Sequence, residues 1–361
     1  MGKKSRTKPS KQQDKYPLVS LCTPTFNRRP FIPYMIKCFE HQTYPKDRIE
    51  WIIIDDGTDP IGELVSHIPQ VKYYYYEEKM ALGKKRNLMH SKCSGGIIIY
   101  MDDDDYYPPE RISHAVTMLQ QNPKILFAGS SEMHIYYASK NAIYQCGPYG
   151  PNHATAATFA FKKELLLQTN YDNEKALAEE SAFTKGYTIP MVQLDTLKTI
   201  LVFSHKHNSL NKEKLLENPV QTRIQPSRFV VDDFVKEPEL KQFYMCTMNK
   251  AVENYEPGKP ENKPLVLEQL KKLEEERNKR MAEHQEMTKF KQRLANNGLA
   301  NNGLANNVVE TKDLELTRLR NEYEKKLADK NIIIQELLKK VKTLTGEIQT
   351  YKELANSEKT I

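Results

Sequence analysis

The sequence predicts an α/β fold: a mixed, mostly parallel sheet flanked by helices, with a C-terminal helical and coiled-coil extension. Three observations predict it. From Pro17 onward, short continuous apolar runs alternate with helical patterns, as in a parallel sheet covered on both faces. Polar clusters follow three of those runs, "TPTFNR", "DDGTD" and "DDDD", at the strand ends where open α/β sheets bind ligands. A heptad pattern occupies the last part of the chain.

The elements follow in order. "LVSLCTPTF" reads as a strand ending at Pro24. "RRPFIPYMIKCFEHQTY" reads as a helix, with Phe31, Met35, Cys38 and Phe39 on one face. "IEWIIIDDGTD" is a second strand closed by a turn, and "KYYYYEE" a short third one. "LGKKRNLMHSKC" is a helix, "GGIIIYMDDDD" a fourth strand, and "PPERISHAVTMLQQNP" a helix opened by proline and closed by Asn-Pro. Beyond Ile125 the pattern is mixed: "ILFAGSSEMHIYYAS" and "ATAATFAFKKELL" give strands and a return helix, and "ALAEESAFTKGY" a helix running to Gly186.

After Asn208 the apolar density falls. The expected organisation is a basic disordered tail over 1–16, a catalytic-type domain over 17–208 and an extended and helical segment over 209–293. A linker follows over 294–307, where "LANNGLANNGLANN" repeats with a five-residue period, and then a coiled coil over 308–361. In that last segment Leu327, Ile334, Val341, Ile348 and Ala355 fall seven apart. Tyr323, Lys330, Leu337, Leu344 and Tyr351 form the partner series, so a parallel homodimer is expected, with Lys330 weakening one layer.

Composition narrows the function classes. Across 361 residues the formal net charge is +7 and charged residues make up 28%. The cations are spread over tails and helices without a basic stripe, which argues against nucleic acid as a partner. The five cysteines are scattered and never in CxxC spacing, so neither a disulfide framework nor a zinc site is expected. No signal peptide and no apolar run of about 18 residues is present. A cytoplasmic protein is expected, and the richness in Lys, Asn, Ile and Tyr points to an AT-rich genome such as that of a large DNA virus, with a viral factory or virion as a second location.

Four aspartates in a row, Asp102 to Asp105, stand behind the run "IIIYM". Neighbouring carboxylates repel, and burying them is costly. If the strand persists, Asp102 and Asp104 face one way and Asp103 and Asp105 the other. Two carboxylates on one side suit a hard divalent cation, Mn²⁺ or Mg²⁺. The competing reading is an acidic turn before the helix that starts at Pro108. A strand-end Asp in "IIIDDGTD" can accept from a nucleotide base or ribose, or simply form a turn. "GKKRN" supplies cations, or a solvated helix face. Neither GxGxxG nor a P-loop is present.

Taken together, "VSLCTPTFNR", "WIIIDDGTD", "GKKRNLMHSKCSGGIIIYMDDDDYYPPERI" and "AEESAFTKGY" resemble the family 2-like glycosyltransferases of the GT-A fold, a Rossmann-like nucleotide-diphospho-sugar transferase fold. The resemblance covers about Pro17 to Asn208. It implies a UDP- or GDP-sugar donor, a divalent metal, and transfer to a hydroxyl of a glycan, protein or lipid acceptor with inversion. It implies a DXD-type motif in which Asp104 is the first choice as metal ligand and Asp102 and Asp103 contact the metal or ribose. Phe26, after Pro24, falls where the family stacks the base, and Asp56, or else Asp55, would bond the base. Lys84 and Asn87 would lie near the diphosphate or ribose. "AEES" falls at the family's catalytic acidic pair, leaving Glu179 or Glu180 as the base. His205 or His207 would supply a third metal ligand. The alternatives are a catalytically inactive scaffold assembled through the coiled coil, and a sugar-phosphate nucleotidyltransferase, whose usual Gly-rich loop "TPTFNRR" lacks.

Overall fold

The computed structural model describes residues 15–217 and 222–296. The chain divides into two units, Met1–Leu273 and Glu274–Ile361. In the second unit the described residues continue the helix Pro264–Asn296, which is charged and exposed over residues 274–289. The basic tail through Asp14, the Asn/Gly repeat beyond Asn296 and the heptad segment lie outside the described residues.

The first unit is built on two sheets. The larger contains β1 (Val19–Thr25), β2 (Ile49–Asp55), β3 (Val71–Tyr75), β4 (Ile97–Tyr100), β5 (Phe127–Gly129), β8 (Ala160–Lys162) and β9 (Met191–Gln193). Its order is β3-β2-β1-β4-β8-β5-β9, and only β8 runs against the others. The mixed, mostly parallel α/β sheet expected from the sequence is therefore present. β1, β2 and β4 are buried along almost their whole length, so their side chains feed apolar layers on both faces. Phe31, Met35, Cys38 and Phe39 are all buried beside the helix Ile32–Glu40. The smaller sheet, order β10-β6-β7-β11, contains β6 (Met133–Tyr137), β7 (Ala142–Cys146), β10 (Val202–Phe203) and β11 (Ile224–Pro226).

Three local expectations differ. Strand β4 stops at Tyr100 and the aspartates lie in a bend, so no strand alternation sorts them. The helix expected up to Gly186 shrinks to Glu180–Phe183. Ala178 and Lys185 both hold φ near 51°, a left-handed conformation that ends a right-handed helix on either side. The stretch after Asn208, expected to be an extended and helical segment outside the core, is folded onto the core. Val231, Phe234, Val235, Leu240, Phe243, Tyr244, Met248 and Val252 are buried there, and the Phe243 ring stacks on Tyr34 at 3.4 Å.

A buried carboxylate staples the N-terminal ends of these strands. Glu50 accepts from Ser20 Oγ (2.5 Å), Ser94 Oγ (2.6 Å), Gly95 N (3.0 Å) and Lys72 Nζ (2.6 Å). Burial alone would raise its pKa, but the bonds from Lys72, Ser20 and Ser94 outweigh burial and hold it at about 2. A depressed carboxylate stabilises the fold above its unfolded pKa and loses that contribution as pH falls toward the folded value. Stability is expected to fall between about pH 4.5 and pH 2, by on the order of 3 kcal/mol from this group. Glu50→Gln should flatten that limb in denaturant titrations across pH; an unchanged limb would contradict the staple.

Candidate functional site

The C-terminal ends of β1 and β4 open into a cavity of about 450 Å³. Pro24, Phe26 and Arg28 line it from the first strand-end loop and Asp102 to Asp105 from the second. The neighbouring loop after β2 lies unusually close to the first: a Cβ on Gly57 would sit 2.7 Å from the Asn27 backbone nitrogen, so only glycine fits. Asn27 itself adopts φ 52° and accepts from Asp59 N (3.1 Å). The "DDG" turn thus serves to hold the "TFN" loop.

Arg28 is 6% exposed and pairs with Asp103 (3.5 Å) and Asp104 (3.1 Å). Burial pushes Asp103 up to about 7, against the pull of Arg28. Asp104 is also buried, yet Arg28 and His205 hold it well below the usual carboxylate range. Asp102 is raised by burial, its backbone N–H donating to Tyr107 OH (2.8 Å). Asp105 is pushed far up by burial and by Asp104, and accepts from Phe203 N (3.3 Å). Four carboxylates this close cannot all ionise without countercharge.

His205 brings Nε2 to 3.2 Å from Asp104 Oδ2, and its Nδ1 accepts from His207 N (3.2 Å). Burial keeps the ring neutral, with its pKa lowered to about 3. His207 instead faces Gly258 and lines a second cavity with Asn27 and Thr58. Of the two candidate histidines, the structure brings His205 to the aspartates. Among the described residues no group of three or more His, Cys, Asp or Glu is already arranged around one metal position. The donor chemistry still fits a hard cation: Asp102 Oδ1 and Asp103 Oδ2 are buried and accept no hydrogen bond, and unpaired buried acceptors of that kind are what a cation satisfies.

The base-side candidates separate. Asp55 is fully buried, and its oxygens accept from Gly57 N (2.9 Å), Ile61 N (3.0 Å) and Tyr73 OH (2.7 Å). Asp56 pairs with Lys85 and accepts from Met80 N (2.8 Å). Phe26 carries the Lys79 ammonium 3.1 Å from its ring centroid. On the helix Leu82–Lys92, Lys84 is exposed and Asn87 is bonded to Tyr171 and Asn173. From this helix Leu82, Lys85 and Arg86 line the cavity. The two cations follow Leu82 at helical spacings of three and four with Met89 beyond, a stripe the sequence carries. Arg28, Lys79, Lys85, Arg86, Lys212 and Lys263 are cavity residues that the sequence reading did not single out.

The acidic pair is asymmetric. Glu179 is 4% exposed and bonds Arg86 Nε at 3.0 Å. The same guanidinium lies 3.8 Å from Asp102 and over the Tyr100 ring at 4.4 Å. Glu180 makes no such pair among the described residues, and burial together with the Glu179 charge raises it to about 7.

The acidic and cationic loops lie at the strand ends, where open α/β sheets bind ligands. Residues 20–163 match the family model described as Glycosyl transferase family 2, so the resemblance read from the sequence holds over that stretch. Among solved structures, Staphylococcus aureus TarS 1-349 in complex with UDP-GlcNAc is 20% identical, with 51% of this chain and 58% of that chain covered at a TM-score of 0.40. Mannosyltransferase PcManGT from Pyrobaculum calidifontis, in complex with GDP-Man and Mn2+, is 15% identical, with 67% and 74% covered at 0.45. This chain therefore spans less than two thirds of TarS 1-349. No curated protein matches the sequence. Among the described residues no helix is long and apolar enough to cross a membrane.

Proposed function

We propose that this protein is a metal-dependent, inverting glycosyltransferase that moves a sugar from a UDP- or GDP-sugar to an acceptor hydroxyl. The observation that carries this is one cavity lined by Asp102, Asp103, Asp104 and the cations Arg28, Lys85 and Arg86, within a segment matching glycosyl transferase family 2. Asp104, Asp102 and His205 would hold a divalent cation, with Asp103 beside them. When bound, it would neutralise charge developing on the leaving diphosphate.

The chain's own residues supply the rest. Glu180 takes the proton from the acceptor oxygen as that oxygen attacks the anomeric carbon, while the bond to the diphosphate breaks. Glu179 pairs with Arg86, which lines the cavity, and would so position the acidic pair. Arg28 and Lys85 add fixed positive charge where phosphate charge grows. Attack opposite the leaving group inverts the centre.

The test is a panel of nucleotide sugars incubated with Mn²⁺. One or a few donors should be hydrolysed slowly in the absence of acceptor, and chelation should abolish it. Neither turnover nor binding of any UDP- or GDP-sugar with Mn²⁺ present would overturn the assignment.

A further inference from the structure

The cavity is roofed by residues far outside the matched family segment. Ser209, Leu210, Lys212 and Lys263 line it, followed by the first turn of the helix Pro264–Asn296. The Lys263 side chain is the unusual member. It is 5% exposed, its ammonium donates to Ser209 Oγ at 3.0 Å, and it makes no ion pair among the described residues. A buried ammonium without an anion is costly. Burial lowers its pKa strongly and Arg28 lowers it further, against the partial pull of Asp104 and Asp103.

The other cations of the cavity sort clearly. Arg28 is paired with Asp103 and Asp104, Lys85 with Asp56, and Arg86 with Glu179. Lys79, Lys212 and Lys263 have no carboxylate partner among the described residues. Three lysines without an ion-pair partner among the described residues line one cavity, a lining that suits the negative charge of a diphosphate. Leu265 and Val266, in the first turn of the helix that begins at Pro264, also line the cavity, and first-turn N–H groups favour anions.

The roof is also fixed in place. Asn27 Nδ2 donates to Pro257 O (2.9 Å) and Tyr255 OH to Asp59 (2.8 Å), on the side of the first strand-end loops. On the other side, Gln269 accepts from Ala176 N (2.9 Å) and donates to Glu174 O (2.7 Å), just before the acidic pair.

We propose that Lys263, assisted by Lys212, binds the phosphate groups of a nucleoside diphosphate, so that the segment after Asn208 completes the donor site. This rests on the donor reading above and adds a residue to it. It also gives the buried ammonium a reason to persist, since among the described residues no carboxylate forms an ion pair with it.

The test uses the full chain and two probes, UDP and GDP, each titrated calorimetrically with Mn²⁺ present. For whichever probe binds the unaltered protein, Lys263→Met should weaken binding about tenfold or more, as expected for a lost charge-assisted contact. Lys263→Arg should stay within about threefold, and Lys212→Gln should weaken binding by a smaller factor than Lys263→Met. Without ligand, Lys263→Met should melt at or above the unaltered protein, because an uncompensated buried charge has been removed. Equal affinity in Lys263→Met and the unaltered protein would overturn the inference while leaving the donor reading intact. A ligand-free melting point clearly below that of the unaltered protein would also overturn it, since Lys263 would then be held for stability through its bond to Ser209. Binding of neither probe to the unaltered protein would overturn the donor reading itself, and the lysine assignment with it.

Discussion

Asp104→Ala is expected to lower Mn²⁺-dependent turnover about 10³-fold or more while leaving the fold intact. The carboxylate sits between Arg28 at 3.1 Å and His205 at 3.2 Å. These partners keep it ionised despite its burial, whereas burial raises Asp102, Asp103 and Asp105. It is the strongest anion of the run and the one next to the candidate histidine. A metal's contribution to charge neutralisation is several kcal/mol, and about 1.4 kcal/mol is tenfold in rate, hence the expected size. Asp102→Ala and Asp103→Ala should follow with smaller losses. Asp105 holds Phe203 N and accepts from Tyr244 OH through its backbone carbonyl, so Asp105→Ala should cost stability more than turnover. Initial-rate measurements over a Mn²⁺ titration check the series. Equal losses of turnover for Asp104→Ala and Asp105→Ala would contradict the ranking.

The second large effect separates the acidic pair. Glu180→Gln should reduce transfer by about 10²- to 10⁴-fold, the usual size for a general base, without unfolding the protein. With Glu180 raised to about 7, kcat/KM should rise with pH through an apparent pKa near that value, because the base form is the deprotonated one. The stability sign runs the other way. A carboxylate whose folded pKa is raised holds its proton more tightly when folded, so it loses stability as pH climbs from its ordinary range to about 7. Glu180→Gln should therefore match or exceed the parent protein in melting temperature at pH 8. Glu179→Gln should behave differently, stranding the Arg86 guanidinium, itself 2% exposed. Breaking a buried pair from one side costs about 3 to 5 kcal/mol. If Glu179→Gln proves stable and inactive while Glu180→Gln stays active, the roles are reversed.

Much of this arrangement was legible in the sequence. The strands Val19–Thr25, Ile49–Asp55 and Ile97–Tyr100 are apolar runs that can only be buried, and the loops after them carry the polar residues. What the sequence left open depends on partners far along the chain. Lys85 is buried because Asp56 meets it from 29 residues away, and Arg86 because Glu179 meets it from 93. A local window sees two exposed cations there, so Lys84 and Asn87 looked equivalent to them. Asp56 was preferred to Asp55 only through the family resemblance, and the turn through Gly57 occupies the first. The stretch after Asn208 misled through its charge content: its apolar residues are spaced widely, yet Phe234, Leu240, Phe243, Tyr244 and Val252 all reach the core.

That last feature bears on how such a gene can be rearranged. The matched segment ends at residue 163, but the compact unit runs on to Leu273. A recombination joining the family segment to an unrelated C-terminus soon after Asn208 would expose a broad apolar wall and remove the edge strand Ile224–Pro226 from its sheet. The folded unit is therefore longer than the segment that matches the family. A fusion is expected to keep that wall covered only where the whole stretch through Leu273 is retained.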